Sequence, residues 1–206
     1  MSLAVPHPLD VFRQRRSVRQ FLQQPVPRDL LLRVIEAGTW APSAGNRQAW
    51  EFTLVTSATT LQAMAEVVRC RWETIMANLE TSGIAEELAA YHRNFDWFSS
   101  VPVVIAVSAR TPEAFLEQIL GADAIDVSGA KTSAAMAAEN LMLAAQSLGL
   151  GSCCLTGPLA AQQELKHLLG LGKRQSLVCL IALGYPAQSV AEPGRKPVED
   201  VMRIIE

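Results

Sequence analysis

A cluster of basic residues near the start of the chain could bind an anion. The stretch RQRRSVRQF, residues 13–21, contains four arginines. They are Arg13, Arg15, Arg16 and Arg19. A guanidinium group offers paired donors in one plane that match a phosphate, and the hydroxyl of Ser17 would add a further polar contact. The competing interpretation is a solvated helix face whose arginines pair with scattered acids.

A second basic pair, Arg195 and Lys196, lies far away in the sequence. It belongs to the stretch PGRKP and follows an apolar segment that ends in Gly-Tyr-Pro. Two basic clusters, one near each end of the chain, could close on a single phosphate. This pairing favours the phosphate interpretation over the solvated face.

The loop TWAPSAGNRQAWEF, residues 39–52, is rich in residues that favour turns. Asn46 carries an amide that both donates and accepts, which suits the mixed edge of a heteroaromatic ring. The alternative is a turn asparagine that bonds its own backbone.

Several common site patterns are absent from the sequence. There is no GxxxxGK[ST] loop, no GxGxxG fingerprint in a strand–helix context, no HExxH and no nucleophile elbow. The three histidines are dispersed, so no metal site is predicted. No side chain is predicted to act as a nucleophile or general acid. The adjacent Cys153 and Cys154 are interpreted as small buried residues rather than as a redox pair.

Composition narrows the class of protein. The chain has 206 residues, half of them hydrophobic, and a formal net charge of −2, which argues against a nucleic-acid partner. Neither a secretory signal pattern nor a membrane-spanning stretch is recognised. A single domain over residues 1–206, located in the cytoplasm, is expected.

Alternating patterns predict helices on both sides of a sheet. Asp10 would cap a short helix through Arg16, and a second helix would end near Gly38. Further along, strands are predicted at 50–57, 101–109 and in the segment ending at 184–186, with a helix after the first of them. Residues 129–149 read as a helix that is apolar on all sides and therefore buried, either in the core or against a second subunit.

Five segments, in the same order along the chain, resemble the FMN-dependent nitroreductase family. They are RRSVRQF, APSAGNRQAWEF, the alanine-rich helix running into LGLGSCCLTG, the strand ending ALGYP, and RKPVEDV. The resemblance implies an α+β fold, a three-layer α/β/α sandwich with a central, mostly antiparallel sheet. It also implies an intertwined homodimer with two FMN sites at its interface.

The resemblance also assigns cofactor contacts. The phosphate and ribityl contacts are carried over to Arg15, Arg16 and Ser17, with Arg195 and Lys196 closing from the C-terminal side. Arg19 corresponds to a cation near the pyrimidine edge of the flavin, where it would stabilise the anionic reduced ring. The loop that the family supplies from the partner subunit matches Pro42, Ser43, Ala44 and Asn46. The loop whose backbone N–H approaches flavin N5 matches Leu155, Thr156 and Gly157.

Three departures from the family pattern matter. Ala49 replaces a proline found in many members, and Thr156 stands where some bacterial members have glutamate. The segment 72–100 covers a region in which family members differ. Its aromatic residues would either roof a pocket over the flavin or simply pack, and they are Tyr91, His92, Phe95, Trp97 and Phe98.

The implied function is an FMN-dependent oxidoreductase. It would take a hydride from NAD(P)H and reduce nitroaromatics, quinones or related electron-poor acceptors by a ping-pong mechanism. The alternatives are other flavin chemistry on the same fold, namely dehalogenation, heterocycle oxidation or flavin breakdown, and a non-catalytic flavin-binding sensor or storage protein.

Overall fold

The computed structural model describes residues 9–79, 95–110 and 129–206. Within these ranges, the helices are α1 (Asp10–Gln14), α2 (Arg28–Thr39), α3 (Ala58–Leu79), α4 (Ala130–Ser147) and α5 (Gln162–Leu168). The strands are β1 (Trp50–Val55), β2 (Val103–Arg110), β3 (Gly151–Leu155) and β4 (Gln175–Gly184).

The four strands form one sheet in the order β1-β2-β4-β3, and every neighbouring pair is antiparallel. All of β2 except Arg110 is buried, as its unbroken apolar run predicts. A register shift in the β2–β4 pairing places Val107 opposite Cys179 but Ser108 opposite Leu177. The bulge gives β4 one extra residue, so side chains before and after it alternate between the faces in opposite phase. As a result, Leu177 before the bulge and Leu180 after it lie on the same face of the sheet.

Helices cover both faces of the sheet. On one face, Leu31 of α2 and Leu141 of α4 pack with Ile105 and Ile181 of the central strands. On the other face, α3, α5 and the segment 95–101 pack over the alternate residues of the same strands. The structure therefore confirms the predicted α+β fold with three layers and an antiparallel sheet.

Helix α2 packs closely against α4. Gly38 makes this possible, because a Cβ atom there would lie 2.7 Å from the side chain of Leu141. The sequence prediction that Gly38 ends the helix is therefore slightly wrong. The helix runs one residue further, to Thr39, and the glycine is retained for packing.

Helix α4 is buried on one side only within a single chain. Ala134, Ala138 and Leu141 are buried against α2 and the sheet, whereas Ala135 and Met136 are exposed. The prediction of a helix covered on all sides is therefore not met by one chain alone. No helix among the described residues is long and apolar enough to cross a membrane.

The chain after β4 returns to the N-terminal segment before it runs outward. The Leu22 N–H donates to the Tyr185 carbonyl at 2.9 Å, and the Ala187 N–H donates to the Gln20 carbonyl at 2.9 Å. Beyond residue 190 every residue is exposed. This tail carries five large apolar side chains that face solvent, namely Val198, Val201, Met202, Ile204 and Ile205.

Candidate cofactor-binding site

The segment that carries the arginines lies beside the edge strand β3. Helix α1 ends at Gln14, two residues earlier than predicted, so the chain from residue 15 onward is extended. The Val18 N–H donates to the Ser152 carbonyl at 2.9 Å, and the buried Val18 side chain contacts Gly151, where a Cβ would lie only 2.8 Å away. On either side of Val18, Ser17 is half-buried near the Cys153 thiol and Arg19 is exposed.

Arg15 and Arg16 are partly buried cations with weak carboxylate partners. The Arg15 Nε lies 3.4 Å from Glu139 of α4, and the Arg16 guanidinium lies 3.8 Å from Glu192. The two arginine side chains are only about one-fifth exposed, at 21% and 18%, whereas the two carboxylates are largely open to water. These long, single contacts are much weaker than a bidentate pair.

The donors of Arg16 are only partly paired. Its Nη1 donates to the Arg15 carbonyl at 3.0 Å and also to the Arg13 carbonyl. Its Nε is buried and has no hydrogen-bond partner. A buried donor on a cation is costly to leave unpaired, so the arrangement fits a phosphate group.

The C-terminal basic pair lies in a segment that approaches this cluster. Glu192, which contacts Arg16, is three residues before Arg195. The Arg195 guanidinium donates to its neighbour, the Gly194 carbonyl, at 3.0 Å, and both Arg195 and Lys196 are exposed. The structure thus brings this segment near the arginine cluster, with both cations facing solvent.

Aromatic side chains fix the loop that follows β3. A Cβ at Gly157 would lie 2.1 Å from the Phe95 ring, so the ring packs directly on the glycine backbone. The indole Nε1 of Trp72 donates to the Gly157 carbonyl at 3.1 Å, and the Trp72 and Phe95 ring centroids are 4.9 Å apart. The position of Gly157 is therefore held by both rings.

A cavity of about 390 Å³ opens between this loop and the arginine segment. It is lined by Arg19, Phe95, Trp97, Cys153, Cys154, Leu155, Thr156 and Gly157. The structure thus brings Arg19 together with all three predicted residues of the β3 loop. The Trp97 ring stacks on Phe21, and its Nε1 is buried without a partner.

The aromatic segment before β2 divides between pocket and core. Phe95 and Trp97 line the cavity, as the pocket-roof interpretation predicts, whereas Phe98 is fully buried in the core. Tyr91 and His92 lie outside the described residues.

The loop at 42–46 lies at the other edge of the sheet. The Ala44 N–H donates to the Ser133 hydroxyl at 3.3 Å, near the start of α4, and the loop leads into β1. The Ser43 hydroxyl accepts from the Gln48 N–H at 3.0 Å, and the Asn46 side-chain oxygen accepts from the Gln48 amide at 3.2 Å. Because β1 and β3 are opposite edge strands, one chain does not bring Pro42, Ser43, Ala44 and Asn46 to the arginine cluster.

A second cavity, of about 580 Å³, contains none of the predicted residues. It lies between the start of α2, the end of β1 and the segment 99–103. The smaller cavity is therefore the candidate site.

Sequence reasoning missed two features of the site. Glu139, the partner of Arg15, is the one acidic residue between positions 130 and 147, and that isolation was a usable signal. The strand β3 was not predicted, because GSCCL has no β-branched or aromatic residue.

The fold and site define a class: three-layer α+β proteins with an antiparallel sheet and a cation-rich pocket beside an edge strand. The nitroreductase family model matches residues 12–185, and the chain belongs to the nitroreductase family, as the sequence motifs predict.

Three similar proteins illustrate the range of the family. The chain is 30% identical to an NADH dehydrogenase of Thermus thermophilus. The alignment spans 196 residues, which is 92% of this chain and 91% of that protein. A BluB-like flavoprotein from Clostridium difficile superposes with a TM-score of 0.84 at 28% identity, covering 98% of this chain and all of that one. An iodotyrosine deiodinase bound to FMN and 3-iodo-L-tyrosine shares the fold, with a TM-score of 0.72 at 22% identity over 96% of both chains.

Proposed function

We propose that this protein is an FMN-dependent oxidoreductase that uses NAD(P)H to reduce electron-poor acceptors such as nitroaromatics and quinones. Bound FMN would supply the redox chemistry, accepting a hydride and later passing electrons to the acceptor. The observation that carries the proposal is the position of the under-paired cations Arg15 and Arg16 beside a cavity that Arg19 enters.

The two ends of the chain would anchor the phosphate of the cofactor. Arg15 is held by its contact to Glu139 and Arg16 by its bonds to neighbouring carbonyls, so less side-chain entropy remains to be lost on binding. Arg195 and Lys196 follow Glu192, which already touches Arg16. A dianionic phosphate would replace the loose glutamate contacts with shorter, charge-assisted ones.

Arg19 is the one charged side chain among the described residues that line the cavity. Its guanidinium makes one weak bond, to the Ser17 carbonyl at 3.4 Å, so its charge remains available. A fixed positive charge in such a pocket stabilises negative charge that develops there. Among the described residues that line the cavity we assign no protein acid or base, and protons would come from water.

The shape of the cavity supports sequential use by two substrates. Phe95 and Trp97 form an aromatic wall that favours flat rings. Since both substrates would react at the flavin beside this wall, we expect each to leave before the next one binds, which gives ping-pong kinetics.

A homodimer would complete the site. The predicted cofactor residues Pro42, Ser43, Ala44 and Asn46 lie at the sheet edge opposite β3, so they can reach an arginine cluster only in a partner chain. Trp40, next to this loop, is 80% exposed. Exposure of so large an apolar side chain, together with Met136 of α4 and the apolar tail, is typical of an oligomer interface.

The visible spectrum of the purified protein tests the proposal. We expect a yellow protein whose flavin absorbance bleaches when NAD(P)H is added without oxygen and returns when a quinone is added. Bound flavin that NAD(P)H does not bleach would support the sensor or storage alternative. A colourless protein that takes up no added FMN would contradict the proposal.

A matched pair of variants tests the anchoring role. Replacing Arg15 and Arg195 together by alanine should strip the cofactor, because two charge-assisted contacts at about 1.5–3 kcal/mol each are lost. Arg13→Ala, an exposed arginine of the same cluster, should keep it. Equal FMN retention in both variants would refute the assignment.

Reductive dehalogenation is the second candidate. It is favoured by the shared fold of the iodotyrosine deiodinase that holds FMN and 3-iodo-L-tyrosine. Release of iodide from 3-iodo-L-tyrosine by the reduced protein, faster than quinone reduction, would establish this reaction instead.

A further inference from the structure

Two of the four cysteines meet on one face of the sheet. The β3–β4 register pairs Cys154 with Ile181, so Cys179 is a diagonal neighbour two residues away along β4. Cys153 belongs to the core on the α3 side, so the next residue, Cys154, points to the opposite face, where Cys179 is buried. The two thiols therefore lie close together on this face, near enough for each to perturb the pKa of the other.

The two thiols differ in their access to solvent. Cys154 is exposed on an edge strand and is among the residues that line the cavity. Cys179 is 3% exposed and belongs to the core beneath α4. A small solute can therefore reach the Cys154 thiol directly, whereas the Cys179 thiol is closed to solvent.

The environment also determines which thiol ionises. The hydrogen bond from Cys179 lowers the pKa of Cys154, and the Arg15 guanidinium acts in the same direction, while burial and the Glu139 carboxylate oppose them. The same contact, together with burial, raises the pKa of Cys179. The thiolate, which is the reactive form, is thus favoured at Cys154.

The other two cysteines provide internal comparisons. Cys70 is exposed, but its hydrogen bond to Glu66 at 3.4 Å raises its pKa. Cys153 is buried, and burial raises its pKa as well. Exposure and a lowered pKa therefore coincide only at Cys154.

We propose that Cys154 and Cys179 form a peroxide-reactive thiol pair, in which Cys154 is oxidised first and Cys179 then closes a disulfide with it. The Cys154 thiolate attacks hydrogen peroxide, an S–O bond forms, the O–O bond breaks and hydroxide leaves, which gives a sulfenic acid. The Cys179 sulfur then attacks the Cys154 sulfur, an S–S bond forms, and the oxygen leaves as water. Two thiols are oxidised and one peroxide is reduced to two waters.

The position of the pair predicts a bond that is easily reduced. Diagonal neighbours have Cα atoms about 7–8 Å apart, beyond the usual range for a disulfide, so closure requires β3 to slide along β4. Since β3 is an edge strand, this movement must strain the single bridge from Val18 to Ser152 on its outer side, along with its pairing to β4. A disulfide closed under such strain is readily reduced. The thiol chemistry uses no cofactor, but Cys154 lines the cavity that the proposed function assigns to FMN, so the protein is tested both with and without bound FMN.

Peptide mass mapping of the full-length protein after treatment with hydrogen peroxide tests the proposal. We expect loss of two of the four free thiols, a linked pair of peptides containing Cys154 and Cys179, and full reversal by dithiothreitol. In Cys179→Ala, Cys154 should stop at the sulfenic acid and react with dimedone. Cys70→Ser, the matched control, should form the disulfide at the wild-type rate.

The wild-type protein alone can overturn the proposal, even if a variant fails to fold. Oxidation of Cys70 as fast as Cys154 would refute the selectivity. A sulfenic or higher acid at Cys154 that never links to Cys179 would refute the pairing.

Discussion

Replacing Gly157 by alanine should destabilise the protein through a single identified contact. The added Cβ would meet three atoms of the Phe95 ring at 2.1, 2.2 and 2.5 Å. Phe95 is 7% exposed and packs against Trp72, so the ring cannot simply turn outward. Overpacking of this kind costs about 1–3 kcal/mol. For a chain of this length, about 2–4 °C per kcal/mol gives a melting temperature roughly 2–12 °C lower.

The double variant with Phe95→Ala separates overpacking from other causes. Phe95→Ala alone should cost about 3–5 kcal/mol through the cavity that it leaves. In the double variant, the Cβ at residue 157 has no ring to meet, so the combined cost should be about 1–3 kcal/mol less than the sum. Gly194→Ala, where the added Cβ has no atom within 4 Å, is the control. Thermal unfolding that shows additive effects, or equal effects of the two glycine substitutions, would refute the packing argument.

Three further predictions test the supports of the site. In Gly151→Ala the added Cβ would lie 2.8 Å from the Val18 side chain and should displace the arginine segment from β3. The protein should then retain less FMN through gel filtration, and the further change Val18→Ala should restore FMN retention. Leu141→Ala should lower the free energy of unfolding in urea by about 2–5 kcal/mol, since this side chain is fully buried between α2 and α4. Glu66→Ala should lower the pKa of Cys70, because the hydrogen bond to this carboxylate is the main cause of its rise, so alkylation of Cys70 should become faster at neutral pH. An unchanged alkylation rate would contradict that cause.

Much of the fold follows from hydrophobic patterns in the sequence. The helix predicted after the first strand is found as α3 (Ala58–Leu79), and the strands predicted at 50–57 and 101–109 are found within two residues. These elements have strong local signals: helical periodicity over several turns, or a run of β-branched residues. The strand β3 lacks such a signal and forms because β4 offers it a pairing edge. Tertiary pairing of this kind is not visible in a local pattern.

The site was predictable in its residue types but not in its arrangement. Crowded arginines and a nearby serine, taken together with the second basic pair at 195–196, predict an anion-binding segment. That Arg15 faces Glu139 of α4, and that Phe95 seats on Gly157, depends on contacts between segments more than 60 residues apart. The cysteines show the same limit. Sequence reasoning treated Cys154 as a buried apolar residue, whereas the β3–β4 register exposes it and places it beside Cys179.

The distribution of the predicted cofactor residues has a physical consequence for assembly. Arg16 carries a buried, unpaired donor near one edge of the sheet, and the loop at 42–46 is bonded to the start of α4 near the opposite edge. Neither group of residues has strong partners within one chain, because the cations have weak carboxylate contacts and the loop bonds its own residues. If the cofactor contacts both halves, each bound molecule links two chains, so its binding free energy also stabilises the dimer. Cofactor retention and dimer stability should therefore be coupled, and a weakened interface would release the cofactor even though every arginine of the cluster is intact.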